Sequence, residues 1–220
     1  MKKLLPVLAV ILVACGGGSK HAAQVPPAER EQMVEGCTVS VLLNGDSTLW
    51  GYEPKGGGAR AAVYPELALQ RAMDVRFGPG VVLVRTGAVS GTTSTDALTQ
   101  PRDADIVVYN SGINDVAYSH GEPQYWRNLR TLVQEVPGVV FQTPLPVFGT
   151  TVSYDGIMRA VAIEGAVPLI EARAWAESKG DWWAYATDGV HPSSAGYEEL
   201  VHVQMPVLVP LVLEKCATTE

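Results

Sequence analysis

The chain has 220 residues, 47% of them apolar, which suits one medium-sized domain with a single core and excludes a chain disordered throughout. Its formal net charge of -7 and isoelectric point near 5.1 argue against a phosphate-binding surface. With no clustered Lys/Arg stripe, C-x-x-C pair or phosphate loop, nucleic acid is not an expected partner.

In chain order, the first feature is a basic end followed by a short apolar run. Lys2 and Lys3 precede Leu4 to Val13, which is too short to span a membrane well and has the length of a signal-peptide core. Export follows, and residues 1–15 stand apart from the fold. The run closes with Leu12-Val13-Ala14-Cys15, which resembles the lipobox of bacterial lipoproteins. That resemblance implies that Cys15 is lipidated and becomes the new N-terminus of a lipoprotein, anchored to the cell envelope on its periplasmic or cell-surface face. Two or more acyl chains hold stably where a single one is marginal. Residues 16–36, with Gly16-Gly17-Gly18-Ser19 and Pro26-Pro27, read as a flexible tether. Residues 37–220 are then the folded domain.

Within the domain, short apolar runs alternate with amphipathic ones. Strands are predicted over Thr38 to Leu43, Val81 to Arg85, Asp105 to Tyr109, Val139 to Gln142 and Val167 to Ile170. Helices are predicted over about Tyr64 to Met73, Pro123 to Glu135, Ser153 to Glu164, Ala172 to Ser178 and Ser194 to Leu213. Such alternation is the pattern of an α/β fold, a central parallel sheet of about five strands wrapped by helices. Gly51 to Arg60, with Gly56-Gly57-Gly58, reads as a mobile rim. Ligands bind at the carboxyl edge of such a sheet, so the loops carrying Ser47, Gly91, Asn114 and Pro144 to Gly149 should meet there. Helices return to the opposite edge, which should bring Cys216 beside Cys37 at the base of the first strand. In the oxidising compartment that export implies, this pair is expected to form a disulfide worth on the order of 5 kcal/mol by loop-closure entropy.

Three runs in these loops carry chemistry: Asn44-Gly45-Asp46-Ser47-Thr48-Leu49, Ser111-Gly112-Ile113-Asn114-Asp115 and Asp188-Gly189-Val190-His191-Pro192. A serine hydroxyl near pH 7 is a poor nucleophile unless a histidine takes its proton and a carboxylate orients that histidine. Ser47, His191 and Asp188 supply those three groups. Three residues apart in a turn leading to a helix, Asp188 can reach back to the imidazole Nδ1 while Nε2 faces Ser47. Asn114 adds an amide suited to the oxyanion formed when an ester carbonyl is attacked. Asp46, next to the nucleophile on a tight turn, reads as a structural hydrogen-bond acceptor, and Asp115 as a loop stabiliser. His21, His120 and His202 have no catalytic or metal spacing. The chemistry is acyl transfer, with no metal or organic cofactor required.

Gly45-Asp46-Ser47, Gly91, Gly112-Ile113-Asn114-Asp115 and Asp188-x-x-His191, in this order, resemble the four blocks of the SGNH, or GDSL-type, hydrolases over roughly Thr38 to Val201. The resemblance implies a three-layer flavodoxin-like fold and hydrolysis of carboxylic esters. Ser47 would be nucleophile, His191 base and Asp188 its orienting acid, with the amides of Ser47 and Gly91 and the side chain of Asn114 lining the oxyanion hole. Thr48 stands where many members have leucine directly after serine. The second block, Gly87-Ala88-Val89-Ser90-Gly91-Thr92-Thr93, offers two glycines; Gly91 fits better and Gly87 remains an alternative.

Trp50 and Tyr52 follow the nucleophile, and Trp182, Trp183 and Tyr185 precede Asp188, so aromatic surface is expected to flank the site and suits sugar rings as well as acyl chains. No long apolar insertion offers a lid or deep acyl tunnel. Short acyl groups, acetyl esters of carbohydrate or similar small-molecule or polysaccharide substrates, are therefore the favoured reading. Lysophospholipase or thioesterase activity, a periplasmic O-acyltransferase and a non-catalytic binding protein are the alternatives on the same fold.

Overall fold

Alternation along the strands sorts the core into two layers. In β1 (Val39–Gly45), Val39, Val41 and Leu43 turn to one face of the sheet and Leu42 to the other. In β5 (Ile106–Asn110), Ile106 and Val108 join the first group, and Val107 and Tyr109 the second. The computed structural model describes residues 36–54, 57–147 and 151–218. Cys15, His21 and nearly all of the tether lie outside the described residues.

The main sheet has five parallel strands in the order β4-β1-β5-β6-β7, where β4 is Val82–Thr86, β6 is Val139–Gln142 and β7 is Leu169–Ile170. Counted in chain order this is 2-1-3-4-5, the flavodoxin-like order, whose switch point falls between β1 and β5. On one face, α2 (Pro65–Phe77) contributes Leu69, Met73 and Phe77, and α8 (Ser194–Ala217) contributes Leu208, Val212 and Cys216. On the other, α5 (Glu122–Glu135) sets Tyr125, Leu129 and Leu132 against α6 (Val152–Glu164) with Tyr154, Met158 and Val161. The three-layer α/β architecture expected from the sequence is thus the one found.

Helix α8 is long and apolar enough by composition to cross a membrane. Its buried residues Leu200, Val201, Gln204, Leu208, Val212 and Cys216 nevertheless recur at helical spacing on the face turned to the domain. Pro206 and Pro210 lie on the exposed face, where their missing N–H groups leave carbonyls that water can satisfy.

Three local expectations need correction. The last strand was expected from Val167 but begins at Leu169, because Val167 donates its amide to the Ala162 carbonyl at the end of α6 and Pro168 has no amide to donate. Helix α2 continues beyond Met73 to Phe77, ending at Gly78 with φ 93°. The rim from Gly51 to Arg60 contains an antiparallel pair, β2 (Tyr52–Glu53) with β3 (Ala59–Arg60). Arg60 pins it: Nε donates to the Trp50 carbonyl at 2.7 Å, Nη2 pairs with Glu66 at 3.3 Å, and the guanidinium lies 3.8 Å from the Tyr64 ring centroid. Glycines in the sequence signalled flexibility, whereas the Tyr64 ring, four residues after Arg60, lies against its guanidinium.

Cys37 and Cys216 are joined, with Cα atoms 5.5 Å apart and a sequence separation of 179. The bond ties the base of β1 to the last turn of α8. Replacing both cysteines with alanine should lower the unfolding free energy by about 2–5 kcal/mol; urea denaturation should show this as a lower midpoint, and reductant should move the natural protein the same way.

Candidate active site

Gly45 closes β1 at φ 127°, and a Cβ there would lie 1.9 Å from the Asn110 carbonyl oxygen, so no other residue fits. Gln100 braces the same residue: the Gly45 amide donates to its Oε1 at 2.9 Å and its Nε2 donates to the Gly45 carbonyl at 3.0 Å. The chain then turns into the short helix α1 (Ser47–Trp50), capped by Asp46, whose Oδ1 accepts from the Thr48 amide at 2.9 Å and lies 2.7 Å from the Thr48 hydroxyl. Asp46 is fully buried, and its Oδ2 has no partner among the described residues. Burial pushes its carboxyl up to about 6, although the bonds from Thr48 and the nearby His191 act to lower it.

Ser47, 6% exposed, presents Oγ at 2.8 Å from His191 Nε2, and His191 Nδ1 lies 2.8 Å from Asp188 Oδ2. The amides of Val190 and His191 donate to Asp188 Oδ1 at 3.0 and 2.8 Å. Burial acts to raise the Asp188 carboxyl, but these amides and the imidazole together outweigh it and hold it below the ordinary carboxylate value. It is therefore an ionised acceptor that favours the proton on Nδ1 and leaves Nε2 to accept from Ser47. The turn itself is closed by an antiparallel bridge between Ala186 and Pro192, with Gly189 at φ 81°, and Ser193 caps α8 directly after it.

Asn114 lies in the first turn of α4 (Ile113–Ala117), after β5, and its Nδ2 donates to the Thr92 carbonyl at 2.9 Å. One N–H of that amide is therefore committed to the second-block loop, and the other is available to a ligand. Asp115 ties the same two loops from below. Its buried carboxylate accepts from the Ser94 amide at 3.0 Å and from the Ser94 hydroxyl at 2.5 Å, while Asn128 donates to that hydroxyl at 2.9 Å. Of the two glycines, Gly87 has its amide engaged by the Leu43 carbonyl at 2.9 Å. Gly91, at φ 84°, has no acceptor for its amide among the described residues and is the better placed donor.

The aromatic residues divide. Tyr52 sits against His191, with ring centroids 4.8 Å apart. Trp50, half-buried, packs on the core beside β1 and under Arg60, with its ring centroid 6.3 Å from that of Tyr52. Trp182 donates from Nε1 to the Gly189 carbonyl at 3.0 Å, and the Trp183 ring lies against Gly189 while remaining 58% exposed. Tyr185 packs on Trp175. The His120 amide donates to the Asp115 carbonyl at 2.8 Å and its Nδ1 lies 3.8 Å from Asp115 Oδ1, and His202 is exposed on α8. Among the described residues no His, Cys, Asp and Glu side chains gather as a metal site would require.

Gln100, Asn110 and Arg173 were not singled out from the sequence. Asn110, whose Nδ2 donates to the Gln142 carbonyl at 2.8 Å, is the one with a sequence signal, a polar residue ending an otherwise apolar strand.

This fold and this edge define a carboxylic ester hydrolase. Residues 43–199 match the family model described as the GDSL-like lipase/acylhydrolase family, and the chain belongs to that family. No curated protein sequence matches the chain. Among solved structures, a lipase/acylhydrolase from Enterococcus faecalis superposes with a TM-score of 0.67 at 21% identity, covering 77% of this chain and 94% of its own. The acetylxylan esterase Axe2 from Geobacillus stearothermophilus gives 0.63 at 23% identity, over 79% and 95%. LAE5, an α/β hydrolase from the metagenome of Lake Arreo, Spain, gives 0.64 at 20%, over 80% and 97%.

The raised carboxyl of Asp46 has a measurable consequence. Its folded-state value near 6 lies above the ordinary 3.8, so between those pH values the folded protein binds the proton more tightly than the unfolded chain. Stability from this group is present below about pH 4 and falls as the pH rises to about 6. Asp46→Asn should flatten that part of the profile; guanidinium unfolding at pH 4, 5, 6 and 7 checks it, and a difference between natural and variant protein that stays constant across the window would refute it.

Proposed function

We propose that the chain hydrolyses short-chain, chiefly acetyl, esters of carbohydrate through an acyl-enzyme on Ser47. The observation that carries the mechanism is the unbroken hydrogen-bonded line from Ser47 Oγ through the His191 imidazole to Asp188. Ser47 Oγ attacks the carbonyl carbon as its proton passes to His191 Nε2, and ionised Asp188 stabilises the resulting imidazolium. The carbonyl oxygen becomes an oxyanion, accepting from the amides of Ser47 and Gly91 and from Asn114 Nδ2. On collapse, the bond to the leaving oxygen breaks and His191 returns the proton to it, releasing the alcohol. Water then gives a proton to His191 and attacks the acyl-enzyme. The second collapse frees the acid and restores the proton to Ser47.

Short acyl groups are supported by a sequence without a long apolar insertion to build a lid or tunnel. Carbohydrate is supported by the aromatic surface at Tyr52 and Trp183 beside the histidine and its acid, and by the likeness to Axe2, itself an acetylxylan esterase. A lipid substrate is the second reading, favoured by Val89 and Tyr118, which are 56% and 60% exposed near Gly91. The N-terminal signal and Cys15 support export and a lipid anchor on the cell envelope. The tether meets the domain at the base of β1, opposite the motif edge, which favours a catalytic face turned away from that membrane.

Full-length protein assayed on aryl esters of increasing acyl length should show a rate maximum at acetyl, and a maximum at long chains would transfer the assignment to lipids. Ser47→Ala should lower kcat on the order of 10⁶-fold and Asp188→Asn on the order of 10⁴-fold. Asn114→Ala should cost about 10²- to 10³-fold in kcat with KM little moved, since its interaction strengthens as the oxyanion forms. Equal activity in the Ser47→Ala protein would remove the acyl-enzyme mechanism.

A further inference from the structure

A cleft of about 430 Å³ opens beside the Asp188 turn, lined among others by Pro146, Arg173, Glu177, Trp182, Trp183 and Gly189. Gly189 belongs to both the cleft and the turn, so the cleft runs outward from the acid end of the Ser47–His191–Asp188 line. Its walls differ in chemistry. One lining residue is Trp183, whose indole is a large flat apolar surface left 58% exposed. Two others form an ion pair, Arg173 Nε to Glu177 Oε1 at 2.8 Å, in which the arginine side chain is 8% exposed and the glutamate 53%. Arg173 is held from behind, with Nη1 donating to the Thr151 hydroxyl at 2.8 Å and its backbone amide donating to the Thr143 hydroxyl at 2.8 Å.

On the carbohydrate-ester reading of the site, we infer that this cleft is a subsite for a neutral sugar residue next to the one that carries the ester. A hydroxyl both donates and accepts, and the guanidinium and carboxylate of the pair offer a donor and an acceptor side by side. The axial C–H face of a pyranose covers the indole as other apolar surfaces do. Two other ligand classes fit less well. An acyl chain in the cleft would take water from the Arg173–Glu177 pair and return no hydrogen bonds, which is costly. An acidic sugar would meet an arginine already neutralised by Glu177, close to ionised Asp188, in a chain of net charge -7. A neutral glycan restores the lost water contacts with its hydroxyls. The substrate class this favours is an acetylated oligo- or polysaccharide gripped at two or more successive residues.

The test uses the full-length Ser47→Ala protein, in which turnover is blocked, titrated calorimetrically with unacetylated xylohexaose and with the hexamer of β-1,4-linked N-acetylglucosamine. At least one should bind, and adding Trp183→Ala should weaken it about three- to tenfold, with Glu177→Ala weakening it in the same direction. Because Trp183 also braces Gly189, the single variants are compared by kinetics. Trp183→Ala should raise KM for the acetylated form of the bound glycan several-fold more than KM for an aryl acetate. No binding of either hexamer, binding equal in the Trp183→Ala protein, or equal KM changes on both substrates would each overturn the subsite. Aryl acetate hydrolysis by the natural protein, abolished by Ser47→Ala, would in that event leave the esterase mechanism standing.

Discussion

The contact between Gly45 and the Asn110 carbonyl, which leaves no room for a Cβ, holds the switch point of the sheet together. There β1 and β5 remain paired to their last residues, Gly45 opposite Asn110, before their chains depart in different directions. Asp46 and Ser47 leave from one strand, and Ser111 to Asn114 from the other. A larger residue at position 45 would part the strands at the point from which both the hydroxyl and the asparagine amide are aimed. The position of each group thus follows from backbone proximity, which side-chain adjustment could not replace.

Around that contact lies a layer of buried polar groups. Gln100 braces Gly45 through both of its amide atoms, and Asn110 reaches from β5 to the Gln142 carbonyl at the end of β6. Gln204 of α8 donates to Gln142 Oε1 at 2.9 Å, so the network crosses from the strands into the last helix. Asp115, Ser94 and Asn128 link the two loops that carry Asn114 and Gly91. Such groups cost solvation when buried and return it only if their partners stay in place, so loops tied in this way have few alternative arrangements. A site that must hold three donors around one oxygen benefits from that restriction. The layer is not fully satisfied: Asp46 Oδ2, Asn44 Oδ1, Ser111 Oγ and Gln142 Nε2 have no partner among the described residues, and burial pushes the Asp46 carboxyl upward.

The legibility of this site in the sequence varied with the range of the forces involved. Asp188 and His191 were readable as a pair because a turn of three residues suffices to bring carboxylate to imidazole, and Gly189 at φ 81° supplies the turn. The inner strands β5 and β6 were readable because they are buried on both faces and so appear as largely apolar runs, whereas β4 at the edge alternates buried Val82 and Val84 with exposed Leu83 and Arg85. Gln100 had no such signal: it lies in a polar loop 55 residues from the backbone it braces. The hairpin after Trp50 was not read for a different reason: two residues paired with two, and one guanidinium on a ring four positions later, are too brief to show as a period. Trp50 and Tyr52 are two residues apart, yet one is packed on the core and the other faces His191.

By itself, the sequence determined the alternation of strand and helix, the export signal as an expectation, and the order of the motifs, because these depend on periodicity and on neighbours within a few residues. It also carried the choice of Cys37 and Cys216 as partners, since parallel strands with returning helices leave both at the same edge. Only the tertiary structure decided that Ser47 Oγ stands 2.8 Å from a histidine 144 residues later, that Gly91 and not Gly87 keeps an amide unengaged among the described residues, and that Trp183 and the Arg173–Glu177 pair line one cleft. Distances of that kind are set by how the layers pack. Packing depends on the shapes of side chains far apart in the chain, which no local pattern records.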